Sequence, residues 1–248
     1  MKNSSYPSKG PVTLTPTRLS LPDTTRIEPP RLSFTPAEQK LIHRLCTPAA
    51  VQRWLNEIPY NREPAGDTMR GFRGVVRTGT THCLEAALFA ATTLEQHGYP
   101  PLVLGFESID LLDHVIYVYR TPRGWGSVAR SRDPGLHGRK PVFATPRALA
   151  LSYAEGYVDH SGRIKGYAVL DLRVLDPYDW RLSDRNLWKV EQLLRDWPHR
   201  PIASSDKLFR ERHRRYRDFV RRNGYKPWKY FKGRECWTSL PPEFRRRG

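Results

Sequence analysis

Long apolar runs are missing from this sequence of 248 residues. None approaches the ~18 residues that a helix needs to cross a bilayer, which argues against membrane insertion. The first thirty residues also lack an apolar block between a basic start and a small-residue cleavage site, so no secretory signal is expected. Cysteine is scarce: Cys46, Cys83 and Cys236 lie far apart and, being three, cannot all pair within the chain. That excludes a disulfide-stapled extracellular scaffold and fits a reducing, cytoplasmic setting. Neither CxxC nor HExxH spacing occurs, so no metal site is expected, and no motif asks for a cofactor. There is no internal repeat.

Hydrophobic residues make up 38% of the chain, enough for one large domain or one domain with appendages. The formal net charge is +17, unevenly spread: residues 1–35 hold +3, residues 36–203 hold +4 and residues 204–248 hold +10. The charge therefore belongs mostly to the C-terminal tail.

Seven prolines in the first 36 residues, without helical or alternating periodicity, predict a flexible leader over residues 1–33. Thr35, Pro36 and Glu38 then form a helix start with a capping-box pattern, followed by AEQKLIHRLC. Thr47-Pro48 opens a second helix that Pro59 ends, with Val51, Leu55 and Ile58 at about helical spacing. NREPAGDTMRGFRG reads as a loop. The strongest helix follows, with Thr81 as expected N-cap, Leu84, Ala87, Leu88, Ala91 and Leu94 on one side, and Gly98 as terminator. Three strands are expected next, LVLGFES, HVIYVYR and WGSVARS, the last two forming a hairpin about Pro122-Arg123 that pairs Arg120 with Trp125. LHGRKPVF is irregular to extended, PRALALSYAEGYV helical and IKGYAVLDLRVL a further strand. The order predicts an α+β domain over residues 34–185. A basic, aromatic-rich helical extension is expected over residues 186–248, built from NLWKVEQLLRDW and SDKLFRERHRRYRDFVRRNG.

Cys83 falls at about the second position of the central helix, where free backbone N–H groups and the helix dipole favour a thiolate. A small buried cysteine filling space there is the plainer alternative. His114 begins the second strand and is the side chain best suited to take and return a proton near neutral pH. Continuing the hairpin register places Ser131 opposite His114 and Asp133 on the diagonal of the same face. Asp133 is the better orienter chemically and Ser131 the better by register, whereas Asp113 points to the opposite face. His82 is expected as an exposed first-turn residue, and Glu85 as a favourable first-turn anion. Trp125, on the His114 face, is either a wall of a substrate-binding site or a core residue.

A cysteine at a helix start, a short strand and a histidine-bearing hairpin together resemble the transglutaminase-like branch of the papain-related cysteine enzymes. The resemblance spans about residues 36–175. It is closest to uncharacterised bacterial transglutaminase-like proteins, through His82-Cys83-Leu84-Glu85-Ala86-Ala87-Leu88, Asp113-His114-Val115 and Trp125-Gly126-Ser127-Val128-Ala129-Arg130-Ser131. Pro100-Pro101-Leu102, Gly135-Leu136 and Arg139-Lys140-Pro141-Val142 look like the same group. The resemblance implies a papain-like core with a central N-terminal helix packed on an antiparallel sheet. It also implies Cys83 and His114 as catalytic pair on a peptide or protein amide, hydrolysed or transferred through a thioester. In better-known members a triad aspartate follows the strand tryptophan by four residues; here that position is Ala129, so Asp133 or Ser131 would have to substitute, or the pair works alone.

The tail interleaves arginine and lysine with aromatics, supplying phosphate contacts and stacking faces together. Arg214, Arg215, Arg221, Arg222 and Trp228 are the candidate nucleic-acid contacts. The alternative is a helix docked through its aromatics, its arginines solvated or paired with Asp171, Asp176, Asp179 and Asp184. Two classes of function follow: a cysteine-dependent amide enzyme, or a non-catalytic protein on the same scaffold that attaches to nucleic acid or an acidic partner.

Overall fold

The computed structural model describes residues 21–108, 114–157, 163–203 and 205–230. The first twenty residues of the expected leader, Asp113, the side chain of Trp228 and the tail from residue 231 lie outside them. The fold is mixed α+β, built around one six-stranded antiparallel sheet. Among the described residues no helix is long and apolar enough to cross a membrane.

Helix α1 (Pro36–Arg44) starts as its sequence dictates: Thr35 Oγ1 accepts from the Glu38 N–H at 3.3 Å and Glu38 Oε2 from the Thr35 N–H at 2.7 Å. Thr47 caps α2 (Pro48–Glu57) in the same way. Across the end of the expected loop, from residue 72 onwards, runs a separate helix that the sequence did not reveal, α3 (Phe72–Thr78). Phe72 and Val75, three apart, bury one face, and Gly79 closes the helix with φ 61°.

The central helix α4 (Cys83–Glu95) is buried along its whole length after Cys83. It lies between the sheet and a shell from α2 and α3, with Phe89 stacked on Trp54 at 4.5 Å and on Phe72 at 5.3 Å. Burying a side chain such as Leu88 or Phe89 contributes about 1.5–3 kcal/mol, so this helix anchors the domain. Its N-cap is His82 and not Thr81. Thr81 is instead tied into a bridge with Tyr60: the Asn61 N–H donates to the Thr81 carbonyl at 3.0 Å. That holds Thr81 extended and moves the helix start on by one residue.

The strands are β1 (Leu102–Ser108), β2 (Val115–Thr121), β3 (Gly124–Val128), β4 (Arg139–Phe143), β5 (Ile164–Asp171) and β6 (Arg200–Pro201), in sheet order β4-β3-β2-β1-β5-β6. Alternation sends Val103, Tyr117, Val128 and Leu170 towards α4. Leu104, Phe106, Ile116 and Val118 face the opposite core, which is covered by α5 (Pro146–Leu151) and the 3-10 turn Ala154–Tyr157. The hairpin has the expected register, Arg120 opposite Trp125. Strand β3 ends at Val128, short of the expected Ser131, because Gln52 of α2 takes both backbone groups of Ala129. Its Oε1 accepts from the Ala129 N–H and its Nε2 donates to the Ala129 carbonyl, each at 2.9 Å. Gly138 makes room for that amide: a Cβ there would sit 2.1 Å from Gln52 Oε1.

Residues after 185 extend the same body. Helix α6 (Trp188–Asp196) buries Val190 and Leu194 in the α4 core, and β6 pairs with β5. Helix α7 (Asp206–Asn223) is capped by Ser205 and ends at Gly224, and buries Arg212 and Tyr216; α8 (Pro227–Tyr230) follows. From the leader, Arg26 covers the Tyr99 ring at 3.5 Å and the Ile27 N–H donates to the Gly98 carbonyl at 2.9 Å.

Candidate active site

Cys83 is the first residue of α4, so its backbone N–H has no partner within the helix and the positive end of the dipole faces its sulfur. The side chain is half-buried. His114 is buried just ahead of β2, where the Phe106 N–H donates to its carbonyl at 2.9 Å and continues the β1–β2 ladder. Its ring lies parallel to Phe106 with centroids 6.0 Å apart. His114 Nε2 donates to the Leu136 carbonyl at 2.9 Å, which leaves Nδ1 for Cys83.

Two imidazoles, not one, act on the ionisation of Cys83. Burial opposes its ionisation, but hydrogen bonds from His114 and then His82, with the charge of both rings, bring the thiol down to about 5. His82 is buried rather than exposed, because as N-cap it is extended (φ −100°) and folds its ring back into the domain. Its Nε2 donates to the Thr68 carbonyl at 2.8 Å and lies 3.6 Å from Glu85 Oε1 and 3.7 Å from Glu63 Oε1. Burial works against its charge, yet the bond to Cys83, the charges of Cys83 and Glu85 and the Thr68 carbonyl raise it to about 9.

Glu85 is the hub beneath. Fully buried, it accepts from Arg70 Nε at 2.6 Å, Arg70 Nη2 at 2.7 Å, the Thr68 hydroxyl at 2.8 Å and the His82 N–H at 3.1 Å. Burial alone would raise its carboxyl; Arg70 first, then His82 and Thr68, hold it at about 2.

A cleft of about 320 Å³ opens beside the sulfur, lined by Tyr60, Glu63, His114, Ser131, Arg132 and Asp133 among others. The sequence-predicted Cys83, His114, Ser131 and Asp133 thus come together. The orienting bond at His114 Nε2, however, comes from a backbone carbonyl. Ser131 Oγ accepts from the Asp133 N–H at 3.1 Å, and the Asp133 carboxylate faces Arg132 Nε at 3.2 Å. Both residues lead into the 3-10 turn Pro134–Leu136, which presents the Leu136 carbonyl. Arg139, buried behind it, clamps the flanking carbonyls of Gly135 at 2.6 Å and His137 at 2.5 Å. Helix α8 packs against the same turn.

Trp125 does not line this cleft; it is buried in the second core and pairs with Arg120 and Phe143. Six residues of strand separate Arg120 from His114, ~20 Å at about 3.3 Å each, so the face is shared but the location is not. Ala129, at the position of the family aspartate, is buried in that core. On α7, Arg214, Arg215, Arg221 and Arg222 are exposed. The acids suggested as their partners are occupied elsewhere: Asp171 with Arg173 at 2.6 Å, Asp176 with Arg181 at 2.8 Å and Asp184 with Arg77 at 2.9 Å, while Asp179 accepts from the Leu182 N–H at 2.8 Å. One ionic contact of the tail is Arg163–Asp206.

The sequence reading missed His82, Tyr60 and Leu136. Only His82 left a signal, an imidazole beside the cysteine at a helix start; Tyr60 and the Leu136 carbonyl carry none. In comparison with known proteins, the chain matches no protein-family model and no curated protein.

Proposed function

We propose that the protein is a cysteine-dependent enzyme of transglutaminase-like type, acting on an amide of a peptide or protein. The observation that carries the reading is the half-buried Cys83, first in a helix, sharing one cleft with an imidazole whose far nitrogen is fixed. The thiol proton passes to His114 Nδ1, the sulfur attacks the amide carbonyl, and the tetrahedral oxyanion forms beside the free Cys83 N–H. Tyr60 lines the same cleft, and burial raises its phenol, so it stays protonated as a second donor. When the C–N bond breaks, His114 gives its proton to the departing amine. Water or a second amine, deprotonated at Nδ1, then attacks the thioester and the proton returns to sulfur. The papain-like core and a cytoplasmic setting belong to the same proposal.

Incubating the protein with glutaminyl peptides, with and without a primary amine, tests it. Ammonia release that needs Cys83, with an acyl adduct on Cys83 in the intact mass, is expected. No release and no adduct from any peptide of a broad library would sink the reading.

A second reading concerns the tail. Arg214 and Arg215 lie seven residues before Arg221 and Arg222, so the four share one exposed face of α7, opposite the buried Arg212 and Tyr216. That face suits nucleic acid or another polyanion. Charge reversal of all four should abolish a salt-dependent association while leaving Cys83 alkylation unchanged; association that survives reversal removes this surface.

A further inference from the structure

Cys83 borders a second cleft, of about 550 Å³, which His114 does not line. The two clefts share the sulfur but divide the imidazoles: His114 lines the first and His82 the second. We propose that His82 is a second catalytic imidazole, a charged one braced by Glu63 and Glu85, which holds the Cys83 thiolate independently of His114 and leaves His114 to move the proton. The inference rests on Cys83 as a nucleophile, but not on which amide it attacks.

Each group facing His82 bears on its charge. From its own helix come Cys83, its neighbour in the chain and on the wall of the same cleft, and Glu85 at 3.6 Å. Arg70 pairs with Glu85 through both carboxylate oxygens and offsets much of that negative charge. Glu63, 3.7 Å away, is different: its other side-chain partners are the neutral N–H of Thr68 at 2.7 Å and the Thr68 hydroxyl at 3.2 Å. Its charge is left to face the imidazolium. Glu63 is also, among the described residues, the one non-glycine residue with positive φ, at 54°. A backbone conformation of that kind costs about 1–3 kcal/mol and persists where the surroundings demand it; here the Asn61 side chain accepts from its N–H at 3.1 Å. Across the second cleft, Glu191 is tied to Arg195 at 2.8 Å and Glu107 to Lys165 at 2.9 Å, and His199 lies on the same wall. Those pairs are near neutral and leave His82 to its own carboxylates.

With Nε2–H on the Thr68 carbonyl, only a doubly protonated His82 also donates from Nδ1 to sulfur. That proton need not leave during turnover. The thiol proton goes to His114 Nδ1 and on to the leaving amine, and His82 remains a cation throughout.

The test is the pH–rate profile of iodoacetamide alkylation for wild type, His114→Ala, His82→Gln, the double variant and Glu63→Gln, each checked by thermal unfolding. At pH 6 the His114→Ala protein should react at least tenfold faster than the double variant. Glu63→Gln, which keeps an oxygen acceptor for Thr68, should move the profile to higher pH in the same sense as His82→Gln but by less. Coincident rates for His114→Ala and the double variant would overturn the proposal. If His82→Gln does not fold, Glu63→Gln decides alone, and a wild-type profile there would overturn it equally. Amide turnover plays no part in this readout, so failure of the peptide assay beside a His82-dependent profile would reject the proposed reaction and keep the second imidazole.

Discussion

The two ends of α4 each bury a glutamate against an arginine, and the two pairs behave in opposite ways. At the N-terminal end, against the cost of burial, Arg70, then the charge and backbone N–H of His82 and the Thr68 hydroxyl pull the Glu85 carboxyl down to about 2. At the C-terminal end Glu95 meets Arg181 through two bonds, 2.6 and 2.8 Å, yet burial outweighs them and its carboxyl is raised, with Asp176 adding to the rise. The dipole there opposes a negative charge. One helix thus carries an end that gathers anions, where the nucleophile sits, and an end where a similar pair serves packing. A buried ion pair by itself marks neither function nor stability; its surroundings decide.

The largest effects separate chemistry from thiolate formation. Cys83→Ala should abolish amide turnover, and His114→Ala should lower it by about 10²–10⁴-fold, the usual contribution of a general acid–base group. A steady-state assay on a peptide that the wild type accepts measures this, and full turnover by His114→Ala would remove the histidine from the reaction.

Next come the two glutamates. Glu85→Gln should cost about 3–5 kcal/mol in urea unfolding, because it leaves Arg70 without its charge partner, and Glu95→Gln less, because Arg181 keeps Asp176 at 2.8 Å. Only Glu85→Gln should also shift Cys83 alkylation to higher pH. Acid unfolding sharpens the contrast. The Glu85 carboxyl is lower in the folded protein than its ordinary 4.5, so its contribution is complete above pH 4.5 and is lost as pH falls towards about 2. Glu85→Gln should flatten that acid limb. The raised carboxyl of Glu95 binds its proton more readily in the folded state, so its contribution grows as pH falls, and Glu95→Gln should give no such flattening. Equal acid limbs for both variants would erase the difference between the two ends.

The smallest effect is expected at the turn behind His114. A Cβ at Gly156 would lie 2.4 Å from Leu136 Cδ2 and 3.0 Å from the Gly135 carbonyl oxygen. Gly156→Ala should cost about 1–3 kcal/mol through overpacking. It should lower peptide turnover several-fold by disturbing the Leu136 carbonyl, with the alkylation profile held by His82. A turnover number equal to wild type would show that the turn tolerates displacement.

Much of this arrangement could be read in advance. Thr35-Pro36-Ala37-Glu38 and Thr47-Pro48 are local signals, and local hydrogen bonds satisfy them. The hairpin register followed from the turn at Pro122-Arg123, while Ser131 and Asp133 reach the cleft of His114 from beyond Val128, where that ladder has ended. The α3 helix has only seven residues, with Gly74 among them, too few for a period to stand out in the sequence. The orienter of His114 was sought among side chains, and a backbone carbonyl has no residue type to give it away. Trp125 shared a face with His114 but not a position, since alternation fixes the face and says nothing of distance along the strand.

By itself the sequence determined where α1 and α2 begin, which residues alternate into the two cores, and that a cysteine would stand at the dipole-positive end of the most apolar helix. These are consequences of neighbours in the chain. Tertiary structure alone decided that residues 60–70 would fold across that helix end, turning His82 inward between Glu63 and Glu85, and that Arg139 would clamp the turn that holds His114. Those contacts join residues far apart in the sequence, and their strength comes from burial and proximity, which no local pattern encodes.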